Sequence, residues 1–302
     1  MKRITIVLFV ALFVPTALAQ QRYYIAVGMG RHYAPGVDFE NTSNDRASIC
    51  DEYINPQYAL VDGCSVLDRG VGAGWRVAFD NARGMNGSLA WGMQFTRRIR
   101  AEIEYSYLHS DYDESSYVGG GTGATANKLG QEIQTSRERL GSVSSNSFLL
   151  SAHYVVPRRD SRWTLYAGLG AGISALAADY TSTWARNSNP AAIRTGEGQP
   201  NVDEIRTNLA GTVSAGDAEL TAVGLSWHIV AGADYLIAGQ VSLGFRLRRI
   251  DFPMLESQDL VWDPLRSHVP NLRLDGSEPV HGIIRTEDFQ AVTLSMVMRY
   301  HF

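Results

Sequence analysis

The feature that most constrains this chain is an alternation of period two that returns eight times. At the C-terminus, Val292, Leu294, Met296, Met298, Tyr300 and Phe302 form one apolar face. Ala291, Thr293, Ser295, Val297, Arg299 and His301 form the other. The same rhythm runs on from Tyr23, Leu89, Ile99, Phe148, Trp163, Val223 and Val241. Alternation at 180° per residue is the signature of a strand with two different faces. Most runs approach the roughly 9–11 residues that a tilted strand needs to cross a bilayer. The connections alternate in length too. Arg97-Arg98, residues 157–162 and Ala238-Gly239 make short turns, whereas 35–84, 112–146, 181–221 and 253–287 are long. Short turns at one end, long loops at the other and an even strand count describe an eight-stranded antiparallel up-and-down transmembrane β-barrel. Tyr23, Trp91, Trp163, Trp227, Tyr235 and Tyr300 lie near strand ends, as interfacial girdles require. A soluble β-sandwich also alternates, but it closes with short connections at both ends.

Lys2 and Arg3, the apolar run Ile4 to Val14 and the small-x-small site Ala17-Leu18-Ala19 describe a cleaved signal peptide over 1–19. Residues 20–302 are then a single barrel domain. The mean hydropathy of −0.14 and the lack of a later run of about 18 apolar residues exclude helical spans. With 27 basic against 31 acidic residues, a nucleic-acid binder with a basic face is excluded as well. Cys50 and Cys64 lie close together in the first long connection, and export to an oxidising compartment predicts a disulfide between them. Their neighbours Asp51, Glu52 and Asp62 argue against a reactive thiol, which needs electropositive surroundings.

The polar faces must point into a lumen that side chains of eight strands are just able to fill. That places Arg100, Glu102, Glu104, His153, His228, Asp234, Arg246, Arg248, Arg299 and His301 inside. Charges removed from water must be paired. A network of Arg100, Glu102, Glu104, Asp234, Arg246, Arg248 and Arg299 is expected, with the two glutamates set against Arg246, Arg248 and Arg299. Gly168, Gly170 and Gly172 are expected to make room for those arginines. A narrow polar conduit is the alternative.

No complete catalytic constellation is visible, and no cofactor or metal site is expected. Gly168-x-Gly170-x-Gly172 lies inside a strand, without the strand–turn–helix context of a dinucleotide loop. Ser151 and His153 share the lumen face with no group to orient the histidine. His109, Asp111, Asp113 and Glu114 cluster where a strand leaves the membrane, and a solvated rim is the expectation. In the long connections, a short helix is expected over Ala126 to Leu140. A second is expected after Asn201 as N-cap, with Asp203 and Glu204 in its first turn and Gly211 beyond its end. Pro253, Pro264, Pro270 and Pro279 predict irregular structure in the last connection. The Gly70 to Phe79 stretch is expected as a separate hairpin arm or an extension of the second strand.

The terminus Tyr300-His301-Phe302 resembles the aromatic-x-aromatic ending of bacterial outer-membrane proteins, although Val297 replaces the usual upstream glycine. With the leader and the eight alternating segments, the chain is similar to the OmpA-like and opacity-type small outer-membrane barrels. The resemblance covers the strands, about a third of the chain. It implies a Gram-negative outer membrane location, with lipopolysaccharide and other outer-membrane lipid as surroundings. It also implies recognition of Tyr300 and Phe302 by the outer-membrane assembly machinery. The expected role is structural or surface-interactive, adhesin- or opacity-like, with a surface ligand held by the loops. A narrow porin for small solutes is the alternative. A lipid-modifying enzyme is the third reading: Ser151 and His153 resemble, in reversed order, the pair of outer-membrane lipid A deacylases, but they face the lumen and not the lipid.

Overall fold

The structure is a computed structural model and describes residues 23–43, 74–117, 120–121, 129, 131–156, 162–263, 281–286 and 288–302. The signal peptide, Cys50 and Cys64 lie outside them, as do Pro264, Pro270 and Pro279.

The described residues form thirteen strands: β1 (Tyr23–Ala34), β2 (Val37–Ser43), β3 (Gly74–Phe79), β4 (Ala82–Gln94), β5 (Ile99–Tyr117), β6 (Gly120–Gly121), β7 (Ile133–Val156), β8 (Trp163–Arg186), β9 (Val213–Ala238), β10 (Val241–Phe252), β11 (Glu256–Asp263), β12 (His281–Thr286) and β13 (Phe289–His301). Eight of them close a ring in the order β1, β4, β5, β7, β8, β9, β10, β13 and back to β1, every pairing antiparallel. Following partners round the ring from Tyr23 through Met93, Ala101, Ala152, Leu169, Ile229, Arg249 and Val292 returns to β1 at Tyr33. That stagger of ten residues on β1 is the shear that tilts the strands and sets the bore.

The outer wall of the ring is apolar. Val27, Met29, Leu89, Ile103, Leu150, Leu169, Leu225, Phe245 and Met296 all stand exposed, as lipid-facing residues must. Aromatic pairs mark the short-turn end: Tyr23 stacks on Trp91 at 5.6 Å and Trp163 lies 5.0 Å from Tyr235. Trp227 is eight residues along β9 from Tyr235, toward the opposite end.

The barrel does not stop at the membrane. β5, β7, β8 and β9 run 19, 24, 24 and 26 residues without interruption. The other four walls break and resume: β1 into β2 across Pro35-Gly36, β3 into β4 across Asp80-Asn81, β10 into β11 across 253–255, and β12 into β13. Above the breaks β9 pairs with β11, β11 with β12, β12 with β2 and β2 with β3, so the same strand order continues upward. Proline removes a ladder donor, and Pro35 and Pro253 both sit in these breaks.

Gly74–Phe79 extends the second wall, which is one of the two forms expected for that stretch. Two other expectations for the connections change. Residues 133–140 belong to β7 and are not helical, because Leu140 and Glu138 turn inward while Arg139 and Arg137 turn outward. The last connection contains the strands β11 and β12 and is not irregular throughout. The third connection contains the expected helix, α1 (Val202–Leu209), with Asp203 and Glu204 in its first turn. Asn201 stands at the N-cap position without a side-chain cap bond, and Gly211 follows at φ 73°.

α1 packs Ile205 and Leu209 on Ile193 to form a small lobe on the tips of β8 and β9. Glu132 ties the lobe to the barrel. Its buried carboxylate accepts from Arg186 Nε at 2.9 Å, from the backbone N–H groups of Arg194 and Thr195 at 3.2 and 3.1 Å, and from Thr195 Oγ1 at 2.9 Å.

Candidate functional site

The bore carries two layers of different chemistry. The lower layer, toward the short turns, is charged. Arg246 donates through Nη2 to Glu102 Oε2 at 2.7 Å and through Nη1 to Glu104. Arg248 Nη2 donates to both oxygens of Glu104 at 2.7 Å. Asp234 accepts from Arg100 Nη1 at 3.1 Å and from Arg299 Nη1. Arg299 Nη2 also stands 3.6 Å from Glu102 Oε1. The structure thus brings all seven charged residues of the predicted network together. Each is at most 5% exposed. Pairing and hydrogen bonding are what make such burial tolerable.

Two tyrosines complete this layer, and the sequence reading did not single them out. Tyr24 donates to Glu102 Oε1 at 2.8 Å. Tyr166 accepts from Arg299 Nη2 at 3.1 Å and carries the Arg100 guanidinium over its ring at 3.9 Å. Both fall on the glycine-bearing face of their strands, and that alternation was the available signal. A Cβ on Gly92 would collide with the Tyr24 ring and one on Gly232 with the Tyr166 ring. Gly168 and Gly170 make way for the rings of His153 and His228, and Gly172 for the backbone of Phe148 and Leu149. The expectation that these three glycines accommodate arginines is corrected accordingly.

Ser151 and His153 do not form a pair. Ser151 Oγ bonds His228 Nε2 at 2.9 Å, and His153 Nδ1 accepts from Arg100 Nε at 3.0 Å. His301 Nε2 meets Ser242 Oγ at 3.1 Å at the rim. The 109–114 cluster faces outward: His109 Nε2 lies 3.1 Å from Asp111, and Asp113 pairs with Arg139. The side chain of Glu114 lies outside the description. Tyr300 is exposed and donates to Gln240 at 2.9 Å, while Phe302 stacks on Tyr23 at 6.3 Å.

The upper layer is apolar. Phe39, Val77, Phe79, Leu140, Tyr180, Leu220, Leu260 and Ile284 project inward from β2, β3, β7, β8, β9, β11 and β12 and pack into one buried cluster. Phe79 meets Phe39 edge-on at 5.5 Å, and Trp75 meets Trp184 at 5.2 Å. Glu138 is buried in this cluster. It accepts from Trp184 Nε1 at 2.7 Å and Ser182 Oγ at 3.0 Å. Burial pushes its carboxyl above the ordinary range, and these neutral donors offset only part of the rise. The Tyr180 hydroxyl is pushed up as well, by burial and by the carboxylate beside it.

Between the layers the lumen is lined by hydroxyls. Ser174 Oγ bonds Ser147 and Ser226 at 2.7 Å, and His32 Nε2 bonds Ser110 at 2.7 Å. The lumen side chains are therefore paired charges below and packed apolar groups above.

Solved structures to which the chain is similar include Neisserial surface protein A, at 9% identity, covering 93% of this chain and 97% of that one with a TM-score of 0.39. OprG from Pseudomonas aeruginosa matches at 11% identity, covering 93% and 97% with a TM-score of 0.42. Ail, the attachment invasion locus protein of Yersinia pestis, matches at 10% identity in a complex with the heparin analogue sucrose octasulfate, covering 93% and 99% with a TM-score of 0.30. No curated protein matches the chain. The model of the outer membrane protein beta-barrel domain matches residues 4–263. With its closed ring of eight strands and apolar outer wall, the chain belongs to the outer membrane protein beta-barrel domain family and resides in the Gram-negative outer membrane.

Proposed function

We propose that this protein is a closed barrel whose role is structural and surface-interactive, carried by the part that rises above the outer leaflet. The observation that supports this reading is the double filling of the lumen. A solute entering from outside meets the packed ring of Phe39, Phe79, Leu140, Tyr180 and Leu220. Below that it meets four guanidiniums and three carboxylates locked on one another. The outer surface of the extension is polar, with Asp111, Asp179, Asp217 and Glu219 exposed, and it carries the α1 lobe at its tip. Binding at such a surface is non-catalytic and needs no open bore.

Swelling of proteoliposomes in small sugars and amino acids tests the reading. Vesicles containing the folded protein are expected to swell no faster than protein-free vesicles. A swelling rate that rises with protein content would favour a channel.

A further inference from the structure

We propose that Arg31 and Arg83 form a binding site on the outer wall for the phosphate of an outer-leaflet glycolipid. Arg31 lies on the lipid-facing side of β1, between Met29 and Tyr33, and is exposed. Its partner across the ladder is Met85 of β4, and Arg83 is the next outward residue on β4, opposite Tyr33. The two guanidiniums therefore rise from diagonal positions on adjacent strands, close enough for long side chains to meet.

Both sit at the upper edge of the apolar wall. Below them are Met29, Met85, Val27 and Leu294, all exposed. Just above are the strand breaks at Pro35-Gly36 and Asp80-Asn81, followed by the polar Asp38 and Glu40. This is the headgroup level of the outer leaflet, which a long arginine reaches by extending its stem along the apolar wall.

Other outward arginines, at the upper edge of the wall and in the extension, have carboxylate partners. Arg249 meets Asp251 at 3.1 Å, Arg285 meets Glu256 at 3.3 Å, and Arg139 and Arg76 pair with Asp113 and Glu40. Among the described residues no ion pair within 4.0 Å joins Arg31 or Arg83 to a carboxylate. Asp111, which stands opposite Arg83 on β5, is turned to His109.

An arginine on the lipid face destabilises a barrel by an amount that grows with depth. Two of them side by side add mutual repulsion. An anion held between them relieves both penalties, and a phosphate accepts charge-assisted hydrogen bonds from either cation. The apolar surface directly below suits the acyl chains of the same molecule. The ligand class is thus a phosphorylated, multiply acylated glycolipid whose phosphate sits on Arg31 and Arg83 and whose chains lie along Met29, Met85 and Leu294.

The test is binding of fluorescent bisphosphorylated lipid A to the full-length folded protein in neutral detergent micelles. Each arginine near a charged lipid surface contributes about 1 kcal/mol, so Arg31→Ala with Arg83→Ala is expected to weaken binding roughly thirtyfold. Arg31→Lys with Arg83→Lys keeps the charge and is expected to retain affinity within a few fold. Arg139→Ala, at an already paired position, is expected to leave binding unchanged. Dephosphorylated lipid A is expected not to bind, and millimolar inorganic phosphate not to displace the probe. Heat-modifiable migration on gels reports that each variant has folded, and the lysine pair supplies the reading if the alanine pair does not assemble. Unchanged affinity in the folded alanine pair, loss of binding in the lysine pair, or equal binding of dephosphorylated lipid would each overturn the site. Displacement by inorganic phosphate would overturn the lipid as its source.

Discussion

Glu104 holds two guanidiniums at once, Arg246 and Arg248, inside a bore that water does not reach freely. Removing one member of a buried charge cluster leaves the others uncompensated, which typically costs about 3–5 kcal/mol. Glu104→Ala is therefore expected to destabilise the barrel by that order in urea unfolding from lipid vesicles. Adding Arg248→Ala to it is expected to recover part of the loss, because one orphaned charge is removed. Glu138 behaves differently, since the groups that act on it are the neutral side chains of Trp184, Tyr180, Ser182 and Trp75. Its folded carboxyl titrates above its unfolded value. The stability it contributes is complete below the ordinary carboxylate range and is lost as pH rises through the folded value. Glu138→Gln is expected to raise hydrogen-exchange protection of residues 133–140 and 180–186 at pH 8 and to change little at pH 4. A pH-independent effect would contradict this. The seven lumen charges were legible in the sequence because strict alternation assigns each to a face. Their mutual pairing through Asp234, and the tyrosine platforms beneath, depend on cross-barrel distances that alternation does not contain.

The elements above the membrane invert the pattern used to find those within it. In β2, Val37, Phe39 and Asn41 point inward while Asp38 and Glu40 point to water. An extension bathed in solvent follows the rule of soluble sheets, apolar inside and polar outside. Lipid-facing apolar runs do not mark it, and so β2, β11 and β12 read as loop, while β3 was legible only as a hairpin arm or an extension of the second strand. The strands are also short, 7, 6, 8 and 6 residues, and their partners are distant in sequence. The helix α1 was legible because its signals are local: acidic residues in the first turn and a glycine past the end. Its attachment was not legible, since Glu132 reaches the lobe from the turn that precedes β7, 62 residues from Arg194 in sequence. Glu132→Ala is expected to free the lobe and leave the barrel intact. Limited proteolysis is then expected to cut within 194–200 while the folded barrel keeps its heat-modifiable migration. Resistance equal to the unmodified protein would show that the contacts of Ile193, Ile205 and Leu209 hold the lobe unaided.

At the scale of the whole molecule, the ring of eight strands carries three surfaces with separate tasks. The outer wall meets lipid, the extension meets water, and the lumen is filled twice over by unrelated chemistry. In the proposed reading, charge pairing closes the lower half and aromatic packing closes the upper half, with serines and histidines between. The two fillings share no residue. The extracellular half contains the strands that the sequence conceals, and the periplasmic half those it displays. Single-channel recording in planar bilayers tests this double closure most directly. The account predicts no steady conductance from the unmodified protein, and none from Glu104→Ala with Arg248→Ala, because the aromatic layer still blocks the bore. A stable ohmic open state in the unmodified protein would contradict it.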